Sequence, residues 1–534
     1  MDTIPLNSSP AQRLLPYLFL VLAVFAAYAN VYENVLLFDD NIVITLNEWL
    51  RSWRTFPQLL TSSSTGGAHI AGGFYRPMQN VLYFFIYQLS GDDPFLFHLL
   101  NVSLHATNAC LAFCLAQRLG FRLWPSFLGA LIWSLHPLHT EVITYVSGTA
   151  EPLFTFFCLL GLLLVVPTFG FTRILAALPL LLLALFSKEA AVVFPALVVT
   201  CIYVLAPGRL GAKTYLRTWP LWLVALIYVY WRWTAPGFDG PQTYGKVYQQ
   251  HDFYNLQLYS DHLSYRIYTC LATLPAYLRL LLWPTGLHME RTFPVFVSLN
   301  SRVVWEGIVL CAAAAAQIVW KREHRSRPLS WGLLWFAAAH APNTGIIFSM
   351  NSQFLEHWMY LPSLGLIIGG AESLSRVPMA LLARRLATGL AILLAVILGG
   401  LTFEQNAVWH DPFVFYGNIF KYGEPSARGH NNLALAFMDK GDYPAAIAEF
   451  KKAISMTDTY AETRHNLALA ILHLPNPESH IPEAIENLNR ALEIDPQFYR
   501  SWDALAIIYE HIGDPENEAR CRRMVEEIRR PHNR

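Results

Sequence analysis

The stretch from Leu386 to Ile454 decides the fold. It begins "LATGLAILLAVILGGLTF" (Leu386–Phe403) and soon becomes "HNNLALAFMDKGDYPAAIAEFKKAI" (His430–Ile454). The first segment is an apolar run of spanning type, since a bilayer core needs about 20 mostly apolar residues. The second is polar and alanine-rich, and it recurs. "RHNLALAILHLPNPESHIPEAIENLNRALEIDP" and "WDALAIIYEHIGDPENEARCRRMVEEI" follow it, with Leu467 34 residues after Leu433 and Leu505 a further 38 on. A period near 34 with small residues at fixed places marks stacked helical hairpins. Ala434, Ala446 and Ala453, then Ala468, Ala484 and Ala491, let paired helices approach, and Pro496 closes the second unit. The four extra residues fall at "NPESH". Glu518 replaces a packing alanine in the third unit, as a terminal cap would.

Upstream of this boundary the chain reads as a membrane protein. Of 534 residues, 54% are hydrophobic and only 14% charged, where soluble domains carry about a quarter. Net charge is zero, which gives no reason to expect nucleic acid as a partner. Six of the seven cysteines (Cys110, Cys114, Cys158, Cys201, Cys270, Cys311) lie in apolar runs, and Cys521 lies in the tail. With no CxxC spacing they read as small hydrophobes. The first run, from Leu14 to Val31, is too long for a signal-peptide core and has no cleavage pattern after it, so it is kept as an anchor.

Spans are expected near 14–31, 95–117, 124–140, 150–168, 172–187, 189–206, 217–234, 302–320, 330–348, 357–373 and 386–403, about eleven in all. Segment 264–284 carries Arg266 and Arg279 and is read as re-entrant or interfacial. That choice puts Arg118/Arg122, Arg173, Arg209/Lys213/Arg217, "KREHRSR" (Lys321–Arg327) and Arg376/Arg384/Arg385 on the cytoplasmic side together with the N-terminus. The repeat tail then lies outside, in a periplasm or ER lumen. The resulting division is a membrane domain over 1–404, a linker over 405–425 and a repeat domain of about three units over 426–534.

The same topology gathers the unusual loops on one outer face. They are the long first loop with Asp39 and Asp40, "HPLHTE" (His136–Glu141), "SKEA" (Ser187–Ala190), 235–300 and "NSQFLEHWMY" (Asn351–Tyr360). In the first loop, "NEWLRSWRTFPQLL" and "YRPMQNVLYFFIYQL" have helical apolar spacing and are expected in the interface. Carboxylates beside a bilayer are costly unless used or paired. Asp39 and Asp40 either cap an interfacial helix or supply a general base. Asp39, nearer the membrane and after Phe38, is expected to be the more desolvated. Lys188 snorkels, pairs with Glu189 or grips an anion, and Arg76 and His357 are open to the same two kinds of role. His136 and His139 share one helical turn near Glu141, a spacing that suits a metal or plain hydrogen bonding. Taken together, an acid base and cations on separate loops fit sugar transfer from a lipid-linked phosphate. A non-enzymatic scaffold recruiting partners through the repeats is the alternative. A transporter is disfavoured, because the segments lack internal symmetry and the charges sit at span ends.

The sequence also resembles the transmembrane and tetratricopeptide-repeat-containing (TMTC) O-mannosyltransferases and their bacterial relatives in the type-C glycosyltransferase superfamily. The resemblance rests on "FDD", "YRPMQNVLYFF", "FHLLNVSLHATNA" (Phe97–Ala109), "HPLHTEVITYVSGTAE", "SKEAAVVFP", "LLWPTGL", "MYLPSLGL" and the tetratricopeptide tail. It implies an all-α membrane bundle followed by a solenoid. It also implies a polyprenyl- or dolichyl-phosphate sugar donor, a protein Ser/Thr acceptor and inversion at the anomeric carbon, and the groove that stacked hairpins offer is the place to hold that acceptor. The base maps to Asp39 or Asp40, and on the reading of the residues above Lys188, Arg76 and His357 are the candidates for the donor phosphate. His136, His139, Glu141, Glu189 and Glu356 support them. No metal ligand is assigned, and a divalent metal stays open. Where the resemblance implies an arginine beside Glu356, the chain carries His357, which is not a permanent cation. The Asn-x-Ser/Thr sequons, Asn7 and Asn101, fall in the cytoplasmic tail and a span, which points to a bacterial inner membrane rather than the ER.

Overall fold

The computed structural model describes residues 10–68, 73–205, 212–235, 259–320, 327–350, 352–423 and 426–529. Among these, all regular structure is helical. The chain divides into two compact units at Asp411/Pro412.

In the first unit a helix stands at each expected span. They are α1 (Pro10–Ala27), α3 (Pro94–Arg118), α4 (Leu123–Ser134), α5 (Ala150–Val165), α6 (Leu178–Leu185, after a short turn of helix at Phe171–Ala176), α7 (Phe194–Leu205), α8 (Trp219–Thr234), α10 (Arg302–Trp320), α11 (Arg327–His340), α12 (Tyr360–Ser375) and α13 (Leu381–Asn406). Between them lie α2 (Pro77–Ser90) and α9 (Leu263–Leu282). By length and composition four stretches suffice to cross a membrane: Pro94–Arg118, Val146–Val165, Arg302–Val319 and Leu381–Trp409. Several others are shorter than expected, because the chain leaves the helix at a Pro or His. α4 stops at Ser134, before "HPLH", and α11 stops at His340, before "APNT". The "KREHRSR" loop lies outside the described residues except for Arg327.

Helix packing is of the membrane type, with small residues letting backbones touch. A Cβ on Gly332 would strike the Gly365 carbonyl, and one on Gly369 the Pro328 carbonyl, so α11 and α12 meet without side chains between them. Buried polar side chains tie the helices laterally. His105 bonds the Tyr360 hydroxyl and the Ser134 carbonyl, each at 2.8 Å, and Trp133 Nε1 donates to the Tyr360 carbonyl at 3.0 Å.

Segment 264–284 is one continuous helix, α9, and it does not double back. Both its ends meet groups on one face of the unit. Arg266 donates to the Gly345 carbonyl at 3.2 Å, and His136 Nε2 lies 3.0 Å from the Leu281 carbonyl. Gly345 and His136 each follow the C-terminal end of a helix, α11 and α4.

The first loop folds on itself. "YRPMQNVLYFFIYQL" forms α2 as expected. "NEWLRSWRTFPQLL" does not form one amphipathic helix. It breaks into turns at Glu48–Arg51 and Trp53–Thr55 and a short helix at Phe56–Thr61. The side chains of Asn47 and Ser52 accept from Trp49 and Arg54 backbone N–H groups, and such local bonds compete with helix continuation. Ile44, Leu50, Leu59, Tyr83, Phe84 and Phe97 form a small core here that reaches Val146.

The second unit contains α14 (Pro412–Tyr422) and three helical hairpins: α15/α16 (Ala427–Asp439, Tyr443–Met456), α17/α18 (Ala461–Leu472, Ile481–Ile494) and α19/α20 (Tyr499–Ile512, Pro515–Arg529). The six alanines named above are buried, as close helix contact requires. The inserted residues form a turn at Pro477–His480 after Asn476, whose φ is +60°. Glu518 stays partly exposed and pairs with Arg522.

Candidate functional site

The site is organised by one segment, "EVITYVSGTAE" (Glu141–Glu151), between α4 and α5. Buried amides and hydroxyls fasten it from several helices. Asn101 on α3 donates to the Ile143 and Tyr145 carbonyls at 3.2 and 3.3 Å and accepts from Thr149 at 2.6 Å. Asn406 at the end of α13 accepts from Thr144 at 2.8 Å, and Tyr83 on α2 donates to the Val146 carbonyl at 2.6 Å. Gly148 makes the tight turn: a Cβ there would lie 2.5 Å from the Val142 carbonyl. Asn101 is fully buried, so this sequon side chain serves as a structural clamp.

The acid pair docks on the middle of this segment. Phe38 has φ +57°, a conformation that costs energy for a bulky residue and often marks a functional site. After this reversal Asp40 points inward and is 1% exposed. Its Oδ1 accepts from the Ser147 amide and hydroxyl, both at 2.6 Å, and its Oδ2 accepts from the Leu37 amide at 3.3 Å. It makes no side-chain cap to the following turn, so the capping alternative fails for this residue. Burial pushes its carboxyl up to about 7 against those bonds. Asp39 is exposed, with its amide donating to the Tyr145 hydroxyl at 3.2 Å. The expected order of desolvation is therefore reversed: Asp40 is withdrawn from solvent and Asp39 faces it. Tyr145, stacked on Trp409, has its phenol raised well above the usual range by burial and by the charges of Asp39 and Asp40.

The two ends of the segment hold the other groups. At its C-terminal end Glu151 forms a buried ion pair with Lys188. Glu189, the partner expected for that lysine, instead pairs with Arg76 at 3.4 Å, and Arg76 also lies 4.6 Å over the Phe74 ring. At its N-terminal end Glu141 accepts from His357, ring and amide, at 2.7 and 3.2 Å. The neighbouring Glu356 is buried and bonds Arg291 at 2.5 Å and the His288 amide at 3.1 Å. His136 uses both ring nitrogens, one toward Leu281 and the other accepting from the Leu138 amide at 3.2 Å. His139 is buried among Trp133, His105 and Tyr360. Among the described residues no group of three or more His, Cys, Asp or Glu is arranged to hold a metal.

The structure thus brings Asp39, Asp40, Lys188, Glu141 and His357 onto one segment, and it adds Tyr145, Ser147, Glu151 and Arg291. Glu151 carried a readable signal, an acid opening an apolar run. Arg291 carried another, since it is a basic residue in a loop assigned outside, against the charge trend.

Comparison with known proteins agrees with this architecture. Residues 427–460 match the family model described as Tetratricopeptide repeat. The curated homologues are TMTC-type proteins. A protein O-mannosyl-transferase of Caenorhabditis elegans is 23% identical over 86% of this chain and 65% of its own length. Protein O-mannosyl-transferase Tmtc3 of Drosophila melanogaster is 24% identical over 84% and 56%. Protein O-mannosyl-transferase TMTC4 of Mus musculus is 24% identical over 79% and 64%. The chain therefore spans between about half and two thirds of the length of these relatives. Among solved structures, the APC/C hetero-tetramer Cut9-Hcn1 aligns with a TM-score of 0.23 and 14% identity over 96% of each chain, and no argument rests on it.

Proposed function

We propose that this chain is a membrane glycosyltransferase that moves a sugar, mannose by analogy with the names of its relatives, from a polyprenyl- or dolichyl-phosphate donor to a Ser or Thr hydroxyl of a protein. The observation that carries the reading is the convergence of an exposed carboxylate, its buried neighbour and two flanking charge pairs on Glu141–Glu151. In the proposed step the acceptor oxygen forms a bond to the anomeric carbon as the bond from that carbon to the phosphate oxygen breaks. The hydroxyl proton passes to Asp39, and the bonding pair leaves on the lipid phosphate, whose charge changes from −1 to −2. Attack from the face opposite the phosphate inverts the centre. Asp39 is exposed and so open to an acceptor, while Asp40, locked to Ser147, sets the position of the loop. Lys188, Arg76 and His357 are the proposed cationic side of the donor site, and Glu141, Glu151, Glu189 and Glu356 orient them.

The proposed division of labour is catalysis by residues 1–404 and capture of the acceptor by the tetratricopeptide repeats of 426–534. Reaction is assigned to the non-cytoplasmic side, with the repeats periplasmic in a bacterial inner membrane or lumenal in an ER. The repeats also support the second reading, a scaffold that recruits partners without chemistry. The test is incorporation of labelled sugar from a lipid-phosphate donor into acceptor protein, by the wild type and by Asp39→Asn. Glycosyl transfer requires a large loss in the variant, whereas a scaffold transfers nothing in either and binds partners equally well.

A further inference from the structure

The chain lacks a permanent cation at the position beside Glu356, where His357 stands and bonds Glu141. A guanidinium reaches that place from elsewhere. Arg291 lies in the loop between α9 and α10, and its Nη2 donates to Glu356 at 2.5 Å and to the Gly286 carbonyl at 2.8 Å. Gly286 takes φ +66°, a left-handed turn that aims its carbonyl at both Arg291 and the His288 ring. The guanidinium also sits 5.6 Å from the centroid of the Phe354 ring. Three contacts, with Glu356, the Gly286 carbonyl and the Phe354 ring, thus hold one side chain at one spot.

Its donors are not used up. A guanidinium has five N–H donors in a fixed fork. Nη2 serves Glu356 and Gly286, while Nε is buried with no hydrogen-bond partner. A buried donor left unpaired is destabilising unless something binds it. Yet 19% of the side chain stays accessible, so the site is not sealed. A planar cation with a spare donor edge is the group that takes a phosphate in a forked pair.

We propose that Arg291 binds the phosphate of the lipid-linked donor, as the permanent cation of the subsite formed with Glu356 and His357. This rests on the glycosyltransferase reading above. As the carbon–oxygen bond breaks, the phosphate gains one negative charge, so Arg291 acts on the transition state as well as on donor affinity. Arg291 then supplies the permanent charge of this subsite, beside His357 on Glu141. The competing role for Arg291 is to neutralise buried Glu356 and nothing more.

The experiment measures donor KM and kcat with a polyprenyl-phosphate sugar for Arg291→Gln, Arg291→Lys, Arg291→Gln/Glu356→Gln and Arg291→Gln/His357→Arg. A charge-assisted bond is worth about 1.5–3 kcal/mol, so kcat/KM should fall roughly ten- to a hundredfold in Arg291→Gln. It should stay depressed in the Glu356→Gln double variant, which removes the unpaired carboxylate and protects the fold. Arg291→Lys should retain part of the activity, and His357→Arg should restore part of what Arg291→Gln loses. Wild-type donor kinetics in the Arg291→Gln/Glu356→Gln variant would overturn the assignment. Absence of transfer by the wild type would instead bring down the glycosyltransferase reading, which keeps the two failures apart.

Discussion

At the residue scale, the acid pair shows how little separates two adjacent carboxylates in sequence and how much in space. A single backbone reversal at Phe38 sends Asp40 into a pocket of three donors and leaves Asp39 at the surface. Two outcomes follow. Asp39→Asn keeps the size and removes the base, so turnover at saturating donor should drop by about 10²–10⁴-fold with an unchanged melting temperature. Asp40 governs a pH effect on stability. Its carboxyl is raised from 3.8 to about 7 by burial, so the folded state favours the neutral acid. The stabilisation this provides is complete below the unfolded value and is lost as pH rises through about 7. The wild type should therefore lose melting temperature between about pH 4 and 7 relative to Asp40→Asn, which has no proton to lose there, and the two should run parallel above that range. Parallel curves for the two proteins within that range as well would refute the burial argument. Lys188 calls for a different design from a simple truncation. It is paired with Glu151 in the interior, and removing one partner of such a pair costs about 3–5 kcal/mol. Lys188→Met should thus unfold or fail to accumulate, while Lys188→Met/Glu151→Gln should recover the fold and remain poor in donor use. Normal donor kinetics in that double variant would leave Lys188 a purely structural role.

At the element scale, the segment Glu141–Glu151 is the part that the chemistry depends on, and it is held by neighbours rather than by its own helix propensity. Asn101→Leu removes bonds to two carbonyls and leaves Thr149 without an acceptor at that place. A loss of about 1–3 kcal/mol per unsatisfied buried group is expected, read as a lower melting temperature together with reduced turnover. Unchanged turnover would mean that the segment does not position the site. Much of this architecture was legible beforehand. The apolar runs located the helices because spanning helices must be apolar along their length, and the 34-residue period located the hairpins because close packing admits only small residues such as Ala446 and Ala484. The pairings were not legible. Glu151 meets Lys188, and Glu189 meets Arg76, through contacts between residues 37 and 113 positions apart. Arg291 carries no periodic signal, because loops have none. The first-loop helix was misjudged for a local reason: apolar spacing reads the face of a helix but not the side-chain caps at Asn47 and Ser52 that break it.

At the scale of the whole molecule, the account predicts a topology. With about eleven spans and α9 not counted among them, the proposed topology has the basic loops in the cytoplasm and the repeats on the opposite side of the membrane. A cysteine introduced at an exposed position of the tail, such as Lys451→Cys, should react with a membrane-impermeant reagent from the non-cytoplasmic side of intact cells, and protection there would reverse the orientation. The central claim remains that this bundle catalyses sugar transfer. It is tested most directly by reconstituting the purified full chain in liposomes with a labelled polyprenyl-phosphate mannose and candidate acceptor proteins. The wild type should place label on Ser or Thr residues of an acceptor and release lipid phosphate in equal amount, and Asp39→Asn should do neither at a measurable rate. Equal labelling by the two proteins, or acceptor capture by the wild type without any transfer, would contradict the account.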